Sequence, residues 1–276
     1  MSARAERRAP IPPFGVVVVT VFALLALFGP LLAPYSPLAI HLDAQYRSPS
    51  AGHLLGTGDN GVDVLSVLLH GARLSGLVAV CSVLLSLLVG ATLGALAGYR
   101  GGRTDHLITG LADLVQAFPA VVLNIAILAL VARPGVPHVI LALSVSGWVL
   151  FARIARAQTL LLRESDFVAA AKLLGASEAQ ILVRHVAPNA AGPLVVQATS
   201  ALGGAVLAEA TLSFLGLGPG AAASWGALLD QGSAVLLRFP HVALIAGGAI
   251  ALTVLGFNLA GDYLRDRLDV RITRGL

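Results

Sequence analysis

The chain has 276 residues, of which 57% are hydrophobic and 12% charged, with a mean hydropathy of +0.87 and a formal net charge of +4. A soluble domain carries about 25% charged residues, so this composition excludes an ordinary water-soluble globule and describes a membrane protein. The single cysteine, Cys81, lies in an apolar run and excludes a disulfide framework, and the basic residues sort by membrane side, which reads as orientation rather than as a nucleic-acid surface.

Six apolar runs approach the roughly 20 residues needed to cross a bilayer. After an N-terminal tail of residues 1–13 containing Arg4, Arg7 and Arg8, the first run is Phe14 to Leu32, within a segment 14–33. The stretch GPLLAPYSP that ends it offers no small-x-small cleavage site, so it reads as a retained anchor rather than a signal peptide. Residues 34–73 form an outer segment whose Pro, Gly and Ser content predicts turns. Within it GTGDNGVD brings Asp59, Asn60 and Asp63 close together, but the twelve-residue spacing of a calcium loop ending in Glu is absent. The expectation there is a turn leading into a short helix, VLSVLLHG.

A core of residues 74–262 then holds five further spans. The second is uncharged from Leu74 to Tyr99. The third runs from Leu107 to Val131, with Asp113 and Gln116 near its start, where proximity to the interface or to other protein makes them tolerable. The fourth covers Val136 to Ala155, the fifth Ala190 to Ala210 and the sixth Val242 to Leu259, followed by a tail of residues 263–276. The expected fold is an all-α integral membrane protein with six transmembrane helices. Placing 1–13, 99–106, 153–189 and 262–276 on one side gathers fourteen of the eighteen Lys and Arg residues there and leaves Arg47, Arg73, Arg133 and Arg238 on the other. That bias predicts both termini in the cytoplasm and an even number of spans, whereas five spans would put one basic terminus outside.

A polar island, SDFVAAAKLLGASEAQILVRHVAPN, occupies Ser165 to Asn189 between the fourth and fifth spans. Asp166 is placed to cap a short helix, and Gly175 to end it in left-handed geometry. Ser177 is placed to cap a second helix, with Gln180 completing a capping box. Pro188 limits continuation of that helix toward the next span. Ala169, Ala170 and Ala171 leave a thin surface for close approach by a protein, with Lys172, Glu178 and Arg184 at its edge to fix orientation. A helix-turn-helix of this kind predicts rigid protein docking over a bare loop.

With these features in view, the chain resembles the permease subunit of bacterial peptide-importing ABC transporters, of the dipeptide/oligopeptide permease C type. The resemblance rests on Ala170, Ala171, Gly175, Ile181, Pro188 and Asn189 within DFVAAAKLLGASEAQILVRHVAPN, on HLLGTGDNGVDVLSVLLHGARLS at His53 to Ser75, and on LAEATLSFLGLG at Leu207 to Gly218. It covers nearly the whole chain. Three departures stand out. Ala169 replaces the glutamate that usually opens the Glu-Ala-Ala triplet and removes a carboxylate that would complete a capping box with Asp166. Gly61-Val62-Asp63 replaces Gly-Arg-Asp, and Ala187 replaces the leucine common before the motif proline.

The resemblance implies a type I ABC importer transmembrane-domain fold with a cytoplasmic coupling helix, in the bacterial inner membrane. It also implies four partners besides the lipid bilayer: a homologous permease, two ATP-binding subunits and an extracytoplasmic peptide-binding protein. Coupling to the ATPases would rest on Asp166, Ala169, Ala170, Ala171, Lys172, Gly175, Ala176, Ile181, Pro188 and Asn189. No phosphate loop GxxxxGK[ST] occurs in the chain. It is therefore expected to bind no cofactor and to be no enzyme, with ATP and Mg2+ held by the partner ATPases, whose closure moves Asp166 to Gly175 as a rigid lever.

Candidates for the translocation path are Asn124, Gln197, Glu209 and Asn258, polar or charged residues within or beside spans. A buried structural hydrogen bond explains each of them as well as substrate contact does. Trp148 reads as span packing and Trp225 as an interfacial anchor. The glycine patches GGAVLAEA and GGAIALTVLG suit close approach or sliding of spans, and packing alone explains them equally. His185 has no neighbouring metal-ligand cluster in sequence. An importer for nickel, opines or another small solute would share all these features. An ion-coupled secondary transporter would more naturally show an inverted repeat or an ionisable mid-membrane pair, and a membrane-bound enzyme would need a reactive constellation.

Overall fold

Residues 13–219 and 223–268 are described by a computed structural model, and the regular elements among them are all helices. In chain order these are α1 (Phe14–Leu32), α2 (Val64–Arg100), α3 (Gly102–Gln116), α4 (Ala120–Ala129), α5 (Val136–Leu162), α6 (Asp166–Leu173), α7 (Glu178–Ile181), α8 (Ala187–Phe214), α9 (Trp225–Ala234) and α10 (Pro240–Leu268). Among the described residues, five helical runs are long and apolar enough to cross a membrane, with α7 and α8 counting as one, and α3 with α4 makes a sixth crossing if the bent pair is taken as one.

The third span departs from the expected straight run. α3 and α4 meet at 85°. Pro119 explains the break, because it disfavours helical geometry at Phe118 and has no N–H to give, and its own ψ of 130° starts α4 in a new direction. The second span departs in the other direction. The stretch VLSVLLHG is no separate helix but the opening of α2, whose 37 residues reach about 55 Å, well beyond a hydrocarbon core of about 30 Å. The fifth and sixth spans also extend past their expected limits, and α9 was not expected at all.

α2 is the central post. Along one face Gly90, Gly94 and Gly98, spaced by four, lie against the α5 backbone at Trp148, Ala152 and Arg156, so closely that a Cβ on any of them would overlap α5. Two further contacts are of the same kind: Gly226 of α9 lies against the Ala210 backbone of α8, and Gly256, in the second glycine patch singled out in sequence, lies against Val18 of α1. Gly204 and Gly248 from the two patches face open space, while Gly203 meets Phe257. Phe22, Trp225, Phe257, Val206 and Ile250 join α1, α8, α9 and α10 around α2. Phe22 stands edge-on to both Trp225 and Phe257.

Trp225 is thus a core residue, 4% exposed, whose indole N–H donates to the Leu68 carbonyl at 2.8 Å. It is not the interfacial anchor that sequence suggested.

The segment between α1 and α2 folds onto the end of the bundle. Asp63 caps α2, accepting from the Ser66 N–H and hydroxyl at 2.8 Å each, and pairs with His53 Nδ1 at 2.9 Å. That use of its carboxylate accounts for the GTGDNGVD motif as a helix start. Tyr46 stacks on Phe239, and burial, followed by the nearby Asp59 carboxylate, pushes its phenol above the usual range.

Candidate functional site

Two features of the bundle offer themselves for function: the corner formed by α6 and α7 at the basic end, and a cavity between α2, α4, α5 and α8. The corner starts where α5 ends. Ser165 is the N-cap position of α6, so Asp166 is the first helical residue and not the cap expected from sequence. The Ser165 hydroxyl donates to the Leu162 carbonyl, and no side chain caps this helix. In this register residue 169 is not the third helical position, so the Ala169 departure removes no capping box.

The helix stops at Gly175, whose φ of +79° suits glycine. The Gly175 N–H donates to Lys172 and the Ala176 N–H to Ala171, both at 3.0 Å, the bond pattern of a Schellman stop. Ser177 and Gln180 then form the expected capping box.

Pro188 does not interrupt the passage from this corner into the fifth span. Residues Leu182–Val186 form a π-turn, with the Ala187 N–H donating five residues back to Leu182, and α8 begins immediately after it. The extra residue in the turn accommodates a proline that has no N–H and crowds the preceding carbonyl. Asn189 donates its side-chain N–H to the His185 carbonyl at 2.7 Å.

Inside the corner, Ala171 and Ile181 are buried with Val168 and Val186, and Ala176 packs against them. They are internal glue rather than surface. Asp166, Ala169, Ala170, Lys172, Gly175, Pro188 and Asn189 face outward. Lys172 lies 5.3 Å from the centre of the Tyr99 ring, and Glu178 pairs with Arg100 at 2.7 Å. These two charges tie the corner to the foot of α2, where sequence had assigned them to a partner. The Arg163 guanidinium adds a bond to the Gly98 carbonyl at 3.0 Å.

Sequence reasoning missed the most exposed part of the corner. Leu173 and Leu174, at the tip of α6, are 90% and 88% exposed, with Phe167 and Val183 exposed nearby. The signal was present as two leucines directly before a helix-stopping glycine inside a polar stretch.

The second feature is a cavity of about 410 Å³. Asn124 and Gln197 line it, together with Gln116, which sequence read only as tolerable near the interface or against protein, and Ser82, Ser86 and Ser200, which sequence did not single out. Ser82 and Ser86 stand four apart on one face of α2, a spacing readable as a polar stripe. Asn124 is 2% exposed, and its Oδ1 has no hydrogen-bond partner. An orphaned buried acceptor costs about 1–3 kcal/mol. Gln197 also borders a larger cavity of about 570 Å³ next to Gln158 and Arg265.

The other two path candidates lie elsewhere. Glu209 is 0% exposed and accepts from Ser75 at 2.6 Å, Ser213 at 2.7 Å and Ser224 at 3.2 Å. It knots α2, α8 and the start of α9 together and lines neither cavity. Asn258 is exposed on α10 and donates to the Val254 carbonyl one turn earlier, also outside both cavities. Between the cavity and the basic end, Arg153 pairs with Asp113 at 2.8 Å and Arg156 grips Asp105 with two bonds, locking α3 to α5.

Bent third crossing, glycine-packed post and helical corner together define a multi-span helical membrane subunit. Residues 90–274 match the family of binding-protein-dependent transport system inner membrane components, and residues 7–49 match the N-terminal TM domain of oligopeptide transport permease C. The chain is 36% identical over 261 residues to the oligopeptide transport system permease protein OppC of Bacillus subtilis, covering 94% of this chain and 85% of that one. It is 39% identical over 259 residues to the dipeptide transport system permease protein DppC of Alkalihalophilus pseudofirmus, with the same coverages. Among solved structures, the MetNI methionine ABC transporter in an inward-facing conformation superimposes with a TM-score of 0.60 at 19% identity, covering 73% of this chain and 96% of that one.

The chain belongs to the binding-protein-dependent transport family and has the transmembrane-domain fold of type I ABC importers. It is a multi-pass membrane permease, a transport component and not an enzyme.

Proposed function

We propose that this chain is one permease subunit of an ATP-driven importer of dipeptides and oligopeptides. A homologous permease completes the path, an extracytoplasmic binding protein delivers peptide, and two ATP-binding subunits hold ATP and Mg2+, one docked on the corner formed by α6 and α7 and the other on the homologous permease. Both termini and that corner lie in the cytoplasm, which agrees with the basic bias of the chain, and residues 34–73 cover the outer face. The cargo class rests on the names of the relatives.

The observation that carries the coupling role is the exposed apolar tip Leu173–Leu174, held on a corner that is itself packed and bonded to α2 and α5. An exposed pair of leucines suits a partner's groove. A rigid base lets movement of that groove reach the spans. When ATP closes the two ATPase subunits, the residues from Asp166 to Gly175 move as a lever and turn the path outward; hydrolysis and release reset it.

The test is ATP-dependent uptake of labelled di- and tripeptides by proteoliposomes carrying the complete complex. Uptake that requires ATP and the binding protein supports the reading. An intact complex that ignores peptides while nickel, an opine or another solute stimulates its ATPase would keep the importer and reject the cargo. Uptake driven by an ion gradient without ATPase subunits would reject the class.

A further inference from the structure

α3 differs from the spans around it in direction and in the surface it presents. α4 packs along α5, where Ile125 and Leu128 join Val139 and Leu143 in one cluster. α3 stands at 85° to α4 and therefore lies across α5 rather than along it. The ion pairs agree. Asp105 and Asp113 are about 12 Å apart along α3, yet they meet Arg156 and Arg153, only about 5 Å apart along α5. Both arginines stand beside Ala155, where the expected fourth span ends.

Polar residues run the whole length of α3, with Arg103, Asp105 and His106 near its start and Asp113 in its last turn. Were α3 to climb as a span, Asp113 would sit about 12 Å deeper than Asp105, at a depth where charge is costly. Lying across the bundle keeps both at one level. Ile108 and Ala112 are buried toward α2 and α5. Away from the ion-paired face, Leu107, Leu111 and Leu114 repeat at spacings of four and three, and all are exposed. Phe118 continues this stripe past the helix end, and the exposed Val121 and Val122 carry it into α4.

We propose that α3 is no part of a crossing but an interfacial helix, with its leucine stripe seated in the bilayer at the junction of headgroups and acyl chains. The leaflet is the one on the basic side, cytoplasmic under the orientation proposed above. Lipid covers this face, and the chain climbs back only from α4 onward. Through Asp105 and Asp113 the seat holds the foot of α5, just before the chain enters the corner of α6 and α7. This holds whatever the cargo.

The experiment places spin labels on Leu107→Cys, Leu111→Cys and Leu114→Cys, each with Cys81→Ser, in proteoliposomes carrying the complete importer with cysteine-free partner subunits. Electron paramagnetic resonance reads the depth of each label from its relaxation by oxygen, which concentrates in hydrocarbon, and by a water-soluble nickel chelate. Oxygen should reach all three labels, and their depths should agree within about 2–3 Å, the radius of the helix backbone. Depth that changes steadily by about 10 Å from residue 107 to 114 makes α3 a crossing and overturns the proposal. Exclusion of both reagents shows that protein, such as the partner permease, covers the stripe, and access for the chelate alone shows that water does; either overturns it too.

Phe118→Trp, one aromatic for another, keeps the question answerable if the labelled variants do not assemble. The fluorescence it adds should be quenched several-fold more by lipids brominated near the headgroup end of the acyl chain than by lipids brominated near its terminus. The reverse order overturns the interfacial seat.

Discussion

The seam between α2 and α5 and the corner formed by α6 and α7 are both built from small residues, and they use them in opposite ways. In the seam, Gly90, Gly94 and Gly98 bring two backbones together and leave no room for a partner. In the corner, Ala169 and Ala170 face outward, Gly175 meets nothing within 4 Å, and the leucines beside it are bare. The first region is complete within the chain. The second is rigid on its inner side and unfinished on its outer side, which is what a docking element needs.

Substituting glycines separates the two regions most sharply. Gly94→Leu should abolish accumulation of the folded subunit, because even its Cβ would overlap the Ala152 backbone and nothing there can yield cheaply. Gly248→Ala, where a Cβ meets open space, should leave assembly intact. Equal membrane levels of the two variants, measured by detergent-solubilised gel filtration, would remove the distinction between sealed and open glycines.

A smaller effect is expected in the corner. Gly175→Ala puts a side chain at φ +79°, at a cost of about 1–2 kcal/mol for left-handed backbone. The subunit should still assemble while peptide-stimulated ATPase activity of the complex falls several-fold, since only the stop of α6 is disturbed. Normal stimulation would show that the position of this stop is unimportant for coupling.

Ser177→Ala removes one cap bond, about 1 kcal/mol locally, from an element already held by Ile181 and Val186. It should leave uptake near the native rate and appear only as faster amide exchange in α7. The smallest change belongs to Arg100→Ala, whose half-exposed pair with Glu178 contributes about 0–1 kcal/mol; a large loss of stability there would mean the tie to α2 carries more than its exposure suggests.

The spans were legible in the sequence because hydropathy averages over about 20 residues and each run is long. The same averaging hid the bend at Pro119, which breaks one run without lowering its hydropathy. The Gly175 stop and the Ser177 box were legible because each depends on residues a few positions apart. Asp166 was misplaced by one position, as helix starts commonly are.

What sequence could not supply were long-range partners. Nothing local reveals that Glu209 is tied by three serines. Nothing local reveals that Trp225 reaches Leu68, or that Lys172 and Glu178 turn back to α2. The orphaned acceptor of Asn124 was invisible for the same reason, since an absent partner is defined only by all the neighbours present.

The central claim is that the bare tip of the corner is where an ATP-binding subunit attaches. The most direct measurement is copurification of the ATP-binding subunits and the partner permease with Leu173→Asp/Leu174→Asp, compared with the native chain. The account predicts that the double variant keeps the partner permease and loses one of the two ATP-binding subunits. Retention of both ATP-binding subunits at native stoichiometry, with peptide-stimulated ATPase activity intact, would contradict it.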